Sequence, residues 1–323
     1  MKKRLGNWFI ALLLLVTLGV PSAQAGIRRV DKHATGTPID GTTWARAYRD
    51  LQAALTTAPS GTDIWVDADT YTPGTMSGSS FLMRNDVHIY GAFPPGGGDG
   101  TFGARDVDNP AYETTLSGDI GVIGDTTDNC HIIVVANGVT YVDLDGFTLT
   151  GASSSALYCY QSSPMLNNLT FTGNRGGDGT CILNEDQSSP HIENCRFLFN
   201  ASSGSGGAIA NVSDSNPPIL SCEFTGNEAG TGGAVSSSGG SHPNFYACTF
   251  SRNRAAWFGG AVSNGNQCPL TARNCTFEAN IAQDGNGGAI WCGGDTHEPE
   301  DPATAITLIN CDTSRECIKT FWE

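Results

Sequence analysis

The feature that most constrains how this chain can fold is an internal repeat of 26 or 27 residues. Each unit begins with two residues that are separated by one position and lie on the same face of a strand. An Asn follows three residues after the second of them, and a Gly-Gly-Ala-Ile/Val segment, or a weaker copy of it, ends the unit. Successive units start 26, 27, 26 and 27 residues apart, at Leu169, Cys195, Cys222, Cys248 and Cys275. The one-residue differences fall between the Asn and the Gly pair, so that stretch is a loop, whereas the constant spacings belong to paired strands.

The start of each unit follows the period of a β-strand. In Cys195-Arg-Phe197 the first and third side chains point to the same face of an extended chain. A unit this short cannot bury that face alone, but units stacked about 4.8 Å apart build ladders of like side chains and a continuous core. A helical repeat would show a period of 3.6, and a propeller blade needs about 40 residues. The repeat therefore predicts an all-β parallel β-helix with about 26 residues per coil, each coil having three short strands and three turns.

Weaker copies of the unit extend the predicted β-helix over residues 62–311. Upstream, strand-like segments occur at Asp63–Asp67, Val87–Tyr90, Ile132–Val135 and Phe147–Leu149. Downstream, an insertion separates the fifth unit from a restart at Leu308–Cys311. Residues 312–323 are then expected to be a short C-terminal tail.

Residues 26–61 form a separate N-terminal segment with one predicted helix, at residues 44–58. Thr42 or Thr43 is placed to cap the start of this helix. Its apolar side chains recur at helical spacing, at Trp44, Ala47, Tyr48, Leu51, Ala54, Leu55 and Ala58. Because the open end of a solenoid exposes its core, we expect the helix to cover the N-terminal end. An ordinary surface helix is the alternative.

The first 25 residues have the three parts of an export signal. A positive start from Lys2 to Arg4 precedes an apolar run from Trp8 to Val20, and Ala23-Gln24-Ala25 is a small-x-small cleavage site. The run is shorter than the roughly 20 residues of a spanning helix, and no later stretch could cross a bilayer. We expect an exported chain that starts at Gly26 and functions extracellularly, at the cell surface or at the outer membrane.

The charge of the exported part argues against one class of partner. Removal of three positive charges with the signal changes the formal net charge from −15 to −18. So acidic a surface repels phosphate backbones, which disfavours nucleic-acid binding. We expect a monomer.

Two columns of like residues are expected along the stack. The parallel Cβ vectors of stacked cysteines favour a buried ladder of thiols. Disulfides remain the alternative, because an exported chain enters an oxidising compartment. This column contains Cys195, Cys222, Cys248 and Cys275. For the second column we expect a structural role, because Asn tolerates left-handed turns and its amide can bond along the stack. Its members are Asn174, Asn200, Asn227, Asn253 and Asn280.

No complete catalytic or metal-binding set is recognisable, so we assign no catalytic residue and no cofactor. Asp143 and Asp145 alternate on one strand and could share a face that holds Ca²⁺, but we favour a solvated strand edge running into an Asp-Gly turn. A second candidate Ca²⁺ loop, more simply a solvated insertion, contains Asp295, Glu298, Glu300 and Asp301. The histidines are scattered without a zinc motif, at His33, His88, His131, His191, His242 and His297.

These patterns resemble those of the pectin-lyase-like right-handed parallel β-helix superfamily. The Phe-x-x-Asn and Gly-Gly-Ala-Ile/Val segments are similar to the repeats of polymorphic outer membrane proteins, and the N-terminal part looks like a set of exported bacterial β-helix proteins. The second similarity is carried by Trp44, Ala47-Tyr48, Leu51–Leu55, Ile64–Val66, Tyr71–Pro73, Ile89–Gly91, Leu116–Ile120 and Leu144–Thr148. The resemblance spans about residues 40–311 and implies a right-handed coil. The autotransporter barrel and sorting segment of such relatives are not visible, which favours a truncated gene product.

The resemblance does not fix an activity, because the superfamily includes lyases, hydrolases and adhesins. The sequence favours a secreted or cell-surface binding scaffold without catalysis, whose partners would be polysaccharides or surface proteins. The alternative is a polysaccharide lyase or glycoside hydrolase. Convergent carboxylates with a basic residue in a groove would favour the enzyme, and a smooth polar face would favour binding.

Overall fold

The computed structural model describes residues 26–265, 267–283, 287–293, 306–312 and 318–320. The predicted signal at 1–25 and the acidic residues Asp295, Glu298, Glu300 and Asp301 lie outside these ranges. The described chain winds into a parallel β-helix with four sheets, numbered here in the order in which a coil visits them.

The first sheet contains Ile27–Val30, Thr62–Asp67, Val87–Phe93, Asp143–Asp145, Met165–Asn167, His191–Glu193, Pro218–Leu220, Asn244–Tyr246, Leu270–Arg273 and Ile306–Ile309. The second contains Thr70–Tyr71, Thr115–Ser117, Thr148–Thr150, Thr170–Thr172, Arg196–Leu198, Glu223–Thr225, Thr249–Ser251 and Thr276–Glu278. The third contains Arg175–Gly176, Ala201–Ser202, Glu228–Thr231, Arg254–Phe258 and Ile281–Ala282. The fourth contains Phe81–Leu82, Ile132–Asn137, Ser155–Tyr160, Ile182–Glu185, Ile209–Asn211, Val235–Ser237, Val262–Asn264, Ile290–Cys292 and Ile318–Thr320.

The predicted parallel β-helix is confirmed, with one correction to the coil. Met165 pairs with His191 in the next coil, 26 positions later, and the strands between them belong to the other three sheets. A coil therefore has up to four strands rather than three. The short third sheet exists because stacking continues past the Asn column: the N–H of Ala201, for example, donates to the Asn174 carbonyl at 3.0 Å.

The β-helix begins before residue 62 and continues after residue 311. Ile27–Val30 pairs in parallel with Thr62–Asp67, so the segment 26–61 supplies the first strand. Ile318–Thr320 pairs in parallel with Ile290–Cys292, within the expected tail 312–323. Sequence reasoning missed both strands because a strand at the end of a sheet needs only backbone pairing on one side and shows no repeat unit.

The predicted helix at 44–58 is too long. Trp44–Arg46 is a short 3₁₀ helix, Ala47 is extended, and Tyr48 forms a parallel bridge with Val30 of the first strand. Only Leu51–Thr57 is α-helical. The pairing to Val30 holds the chain extended where an isolated sequence would continue the apolar helical stripe.

The start and the position of the α-helix follow from this pairing. Asp50, not Thr42 or Thr43, caps the helix, since its carboxylate accepts the N–H of Ala53 at 2.6 Å. Leu51 and Leu55 are buried in the core, and the helix contacts the first strands of the first and fourth sheets. The helix thus lies at the N-terminal end of the solenoid, where a cover was expected. Three further 3₁₀ helices are Pro95–Gly97, Phe102–Ala104 and Pro110–Tyr112.

A column of stacked phenylalanines fills the core behind the second sheet. Neighbouring rings lie 4.6 to 5.0 Å apart, with planes within 4° of parallel. The column contains Phe171, Phe197, Phe224, Phe250 and Phe277, all buried. Each inner ring is covered on both faces by its neighbours, so its removal leaves a cavity that the coil cannot close.

The cysteine column stacks as predicted and is longer than expected, because Cys311 joins it. The sulfurs point to backbone carbonyls: Cys195 Sγ lies 3.2 Å from the Glu193 oxygen, and Cys248 Sγ lies 3.3 Å from the Ile219 oxygen. Cys195, Cys222, Cys248, Cys275 and Cys311 are unbridged. Burial raises the pKa of Cys222 well above its ordinary value, which disfavours the reactive thiolate.

The asparagine column is a continuous hydrogen-bond ladder. Asn227 Nδ2 donates to Asn253 Oδ1 at 3.0 Å and to the Phe197 carbonyl at 2.9 Å. Asn227 Oδ1 accepts from both the backbone N–H and the side-chain amide of Asn200. The predicted amide ladder is confirmed, but the expected left-handed turn falls one residue earlier, on residues such as Phe199, Arg252 and Ala279. The amide can reach its partners on the next coil only from a position that points inward.

Candidate binding groove between the first and second sheets

The connection at residues 94–114 departs strongly from a regular coil. It joins Val87–Phe93 of the first sheet to Thr115–Ser117 of the second. In the repeat coil that follows Met165–Asn167, the same connection is only residues 168–169. We refer to residues 94–114 as the wall loop, because they stand beside the turns of the following coils and form one side of a groove.

An ion pair fastens the middle of the wall loop to the first sheet. Both Nη atoms of Arg105 bind the carboxylate of Asp145, and Arg105 Nε donates to the Gly91 carbonyl at 2.7 Å. The guanidinium also lies 5.7 Å from the centroids of the Tyr90 and Phe102 rings. The side chains of Arg105 and Asp145 are only 10% and 15% exposed, so this pair is largely shielded from solvent.

Asp145 joins the loop to the floor of the groove. Its carboxylate also accepts from Asn168 Nδ2 at 2.8 Å, and Asn168 is the left-handed turn residue of the next coil. The wall and the floor are therefore held by one carboxylate, which organises both before any ligand arrives.

A second carboxylate holds the base of the wall loop. Asp67 is buried, receives a hydrogen bond from the Tyr71 hydroxyl, and accepts the N–H of Gly96 at 3.2 Å. Burial raises the pKa of Asp67 to about 6, and burial beside this carboxylate raises the pKa of Tyr71 as well. At the other end of the loop, Thr114 Oγ1 accepts the N–H of Ala92 at 2.9 Å.

The groove between the wall loop and the coils has a cavity volume of about 360 Å³. Its polar walls come from the loop and from successive turns and strands, and include Asp108, Asn109, Tyr112, Glu113, Thr148, Asn168, Thr170, Asn194 and Arg196. A further cavity of about 450 Å³ shares Asn194 and Arg196 and continues to Ala247 and Thr249. The rows from Thr148 to Thr249 cross five coils, so the groove is roughly 19 Å long at about 4.8 Å per coil.

The lining supplies mostly uncharged hydrogen-bonding groups, and its few charged side chains leave a small negative net charge. Hydroxyls and amides dominate, and the one arginine of the floor is engaged, because Arg196 Nε donates to Glu223 Oε2 at 3.1 Å. That pair is solvent-exposed and therefore weak. Such a surface suits a neutral, hydroxyl-rich ligand that lies along the solenoid axis.

The structure confirms that Asp143 and Asp145 share the outer face of the first sheet and that Asp145 leads into a turn at Gly146, whose φ is +78°. The expected solvated strand edge is wrong. Asp143 Oδ2 lies 2.8 Å from His88 Nδ1, and Asp145 is bound to Arg105. The partners come from 55 and 40 positions away, so the local sequence carried no sign of them.

The remaining candidates do not converge. Within the part of the chain that the structure describes, no three Asp, Glu, His or Cys side chains are grouped so as to hold a metal ion. His33 pairs with Asp69 at 2.8 Å and His191 with Glu193 at 3.4 Å, at separate places on the surface. His297 and the acidic insertion lie outside the described residues.

Within residues 26–320, as far as they are described, no helix has the length and apolar character needed to cross a membrane.

Comparison with known proteins bears on the fold. A search of curated proteins gives no match to the chain. A family model described as the right handed beta helix region matches residues 131–311, which is more than half of the 323 residues. This chain belongs to the right-handed β-helix family.

Proposed function

We propose that this protein is a non-catalytic, exported or cell-surface scaffold that binds polysaccharide along the groove between the first and second sheets. The observation that carries the proposal is the continuity of that groove: a polar trough crosses five coils. Beside the first three of these coils it is walled by a loop that two carboxylates hold in place. An extended polymer fits such a trough, because successive coils offer it polar side chains at a regular spacing of about 4.8 Å.

The chemistry of the lining supports a glycan over a charged polymer. Threonine hydroxyls and asparagine amides donate and accept hydrogen bonds with sugar hydroxyls, and the Tyr112 ring offers an apolar surface. Asp108 and Glu113 add negative charge to the wall, which disfavours polyanions.

Retention and turnover on a panel of polysaccharides test this proposal. The intact protein is run through gels containing each polysaccharide, with and without Ca²⁺, while released products are measured. We expect retardation on at least one polymer without product release. Tyr112→Ala should weaken the retardation about tenfold, whereas Trp257→Ala, at an exposed aromatic residue of the third sheet away from the groove, should not. Equal retardation of both variants, or none on any polymer, contradicts the proposal.

Export is a separate part of the proposal and has its own test. The positive start, the apolar run and the Ala-x-Ala site support it. Expression of the whole chain in a bacterium with an export pathway should give a protein outside the cytoplasm whose first residue is Gly26. A cytoplasmic product that keeps Met1 contradicts it.

A second candidate function, polysaccharide cleavage, is favoured by a polar row on the outer face of the first sheet. His88 and Asp143 are 25% and 26% exposed and hydrogen-bonded, as a general base and its orienting carboxylate would be. Asp63 faces His88 on the next strand, and burial raises the pKa of Asp63. If the panel reveals turnover, His88→Ala should abolish it while His191→Ala, on the same sheet, retains it. Turnover that survives in His88→Ala excludes this row as its source.

A further inference from the structure

The turns between the fourth and first sheets form a recess where a short turn lies between two longer ones. Residues 161–164 make a four-residue turn between Ser155–Tyr160 and Met165–Asn167. The turns on either side, 138–142 and 186–190, have five residues, and the next one, 212–217, has six. A short turn between longer ones leaves a hollow, and a cavity of about 670 Å³ lies there.

An aromatic ring and a carboxylate stand on opposite sides of this recess. Tyr141 belongs to the turn on one side; its side chain is 82% exposed and its backbone is left-handed, with a φ of +55°. Asp186 and Gln187 belong to the turn on the other side. The short turn contributes Gln161, and Met165 lies below it, 40% exposed. A bulky aromatic residue in a left-handed turn is uncommon, and here it places a ring where no coil packs against it.

Bonds between coils hold both sides in place. Gln161 Nε2 donates to Asp186 Oδ2 at 2.6 Å, and the N–H of Gln187 donates to the Ser213 carbonyl at 2.8 Å. On the other side, the N–H of Thr140, next to Tyr141, donates to Asn85 Oδ1 at 2.8 Å. The Asp186 carboxylate and the backbone of the turn that carries Tyr141 are therefore held in place before a ligand binds, which lowers the entropic cost of binding.

The charge of the recess is negative and unbalanced. Its lining contains the carboxylate of Asp186 and no Lys, Arg or His side chain. Three charged or titratable residues lie near the lining. Glu185 precedes Asp186, and Asp143 and His191 lie on the strands on either side of Met165. Asp143 is paired with His88, and His191 is paired with Glu193. Among the described residues Asp186 makes no ion pair. The whole chain also carries a net charge of −15, which attracts cations.

We propose that this recess binds an organic cation, a guanidinium or ammonium group, between the Tyr141 ring and the Asp186 carboxylate. The ring supplies a cation–π contact and the carboxylate a charge-assisted hydrogen bond. The thioether of Met165 covers the apolar stem of the cation. The site is separate from the polysaccharide groove and does not depend on the function proposed for that groove.

Calorimetric titration of the full chain tests the site with probes that differ in one property. The probes are a Gly-Arg-Gly peptide, the same peptide with citrulline in place of arginine, argininamide, and an uncharged sugar oligomer. We expect the arginine peptide to bind at least about tenfold more tightly than the neutral citrulline peptide. Comparable binding of argininamide assigns recognition to the side chain alone, and tighter binding of the peptide assigns it to a protein partner.

Variants locate the site and keep the test decisive. Tyr141→Ala and Asp186→Asn should each weaken binding of the arginine peptide about tenfold. Asp214→Asn, in the turn one coil beyond Asp186 and outside the recess, should leave it unchanged. Circular dichroism checks that each variant is folded. If Tyr141→Ala does not fold, the affinity of Asp186→Asn decides the test by itself. Equal affinity for the arginine and citrulline peptides, tighter binding of the sugar, or unchanged affinity in Asp186→Asn overturns the proposal.

Discussion

The coils of residues 165–283 and those of residues 26–160 are stabilised in different ways. In the later coils the same side chain recurs at the same position, with Phe stacked on Phe and Asn bonded to Asn. The earlier coils carry unlike residues, a helix, the wall loop, and ion pairs such as Arg105–Asp145. The wall of the proposed polysaccharide groove and the aromatic side of the proposed cation recess come from the earlier coils. We infer that repetition gives stability and that departures from it shape the two surfaces proposed for binding.

The largest loss of stability is expected at the centre of the phenylalanine column, which only the later coils contain. Phe224→Ala should lower the free energy of unfolding by about 4 kcal/mol, because the ring is buried and stacked on Phe197 and Phe250. Chemical denaturation followed by circular dichroism measures it. Phe199→Ala is the control, since that ring is 65% exposed and should cost about 0.5 kcal/mol. Similar losses in both variants would contradict the importance of the stacked column.

The asparagine ladder should be the next most sensitive element. Asn227→Ala leaves the amide and backbone N–H of Asn200 and the Phe197 carbonyl without their buried partner. We expect a loss of about 3 kcal/mol, since each orphaned group costs about 1 to 3 kcal/mol and the coil relaxes in part. Asn244→Ala, an exposed asparagine of the first sheet, should be close to neutral by the same denaturation assay. A neutral Asn227→Ala would show that the ladder is not needed.

In the irregular coils the expected effect is smaller and more local. Asp145→Asn breaks the shielded pair with Arg105 and should cost about 2 kcal/mol, less than for a fully buried pair because both groups keep some solvent contact. It should also weaken polysaccharide retention, since the wall loop loses its fastening. Glu223→Gln breaks the exposed pair with Arg196 and should cost about 0.5 kcal/mol. Equal losses of stability in the two variants would contradict the fastening role.

The smallest expected effect is a pH dependence at Asp67. Its folded pKa, about 6, is above the unfolded value, so the folded state binds more protons between roughly pH 4 and 6. Stability from this group is fully present below that window and is lost as the pH rises through about 6. Between pH 5 and 6 we expect wild type to lose about 1 kcal/mol relative to Asp67→Asn. Asp99→Asn, at an exposed carboxyl of lowered pKa, should keep the wild-type trend.

Much of the fold could be predicted because the residues that form the ladders recur in the sequence at the spacing of one coil. The spacing of Cys195, Cys222 and Cys248 contains the coil length, and identical residues at that spacing must stack. The helix length could not be predicted in the same way. Its apolar stripe begins at Trp44, but a pairing of Tyr48 with Val30, which depends on the tertiary structure, ends the helical run before Asp50.

The sites were less accessible to sequence reasoning than the fold. Asp143 and Asp145 could be placed on one face by their alternation, whereas their partners His88 and Arg105 come from distant coils. The length of the connection at 94–114 was a visible signal of an inserted loop, but its chemistry was not. The recess at Tyr141 depends on comparing the lengths of turns, and these are known only once the strand ends are known.

Hydrogen exchange of the backbone amides of the intact chain, followed by mass spectrometry, tests most directly whether repetition gives stability. We predict the slowest exchange in the uniform strands from Thr170–Thr172 to Thr276–Glu278, and exchange at least about a hundredfold faster in the wall loop 94–114. Wall-loop amides that exchange as slowly as those strands, or a slowest region centred on residues 26–160, would contradict the account.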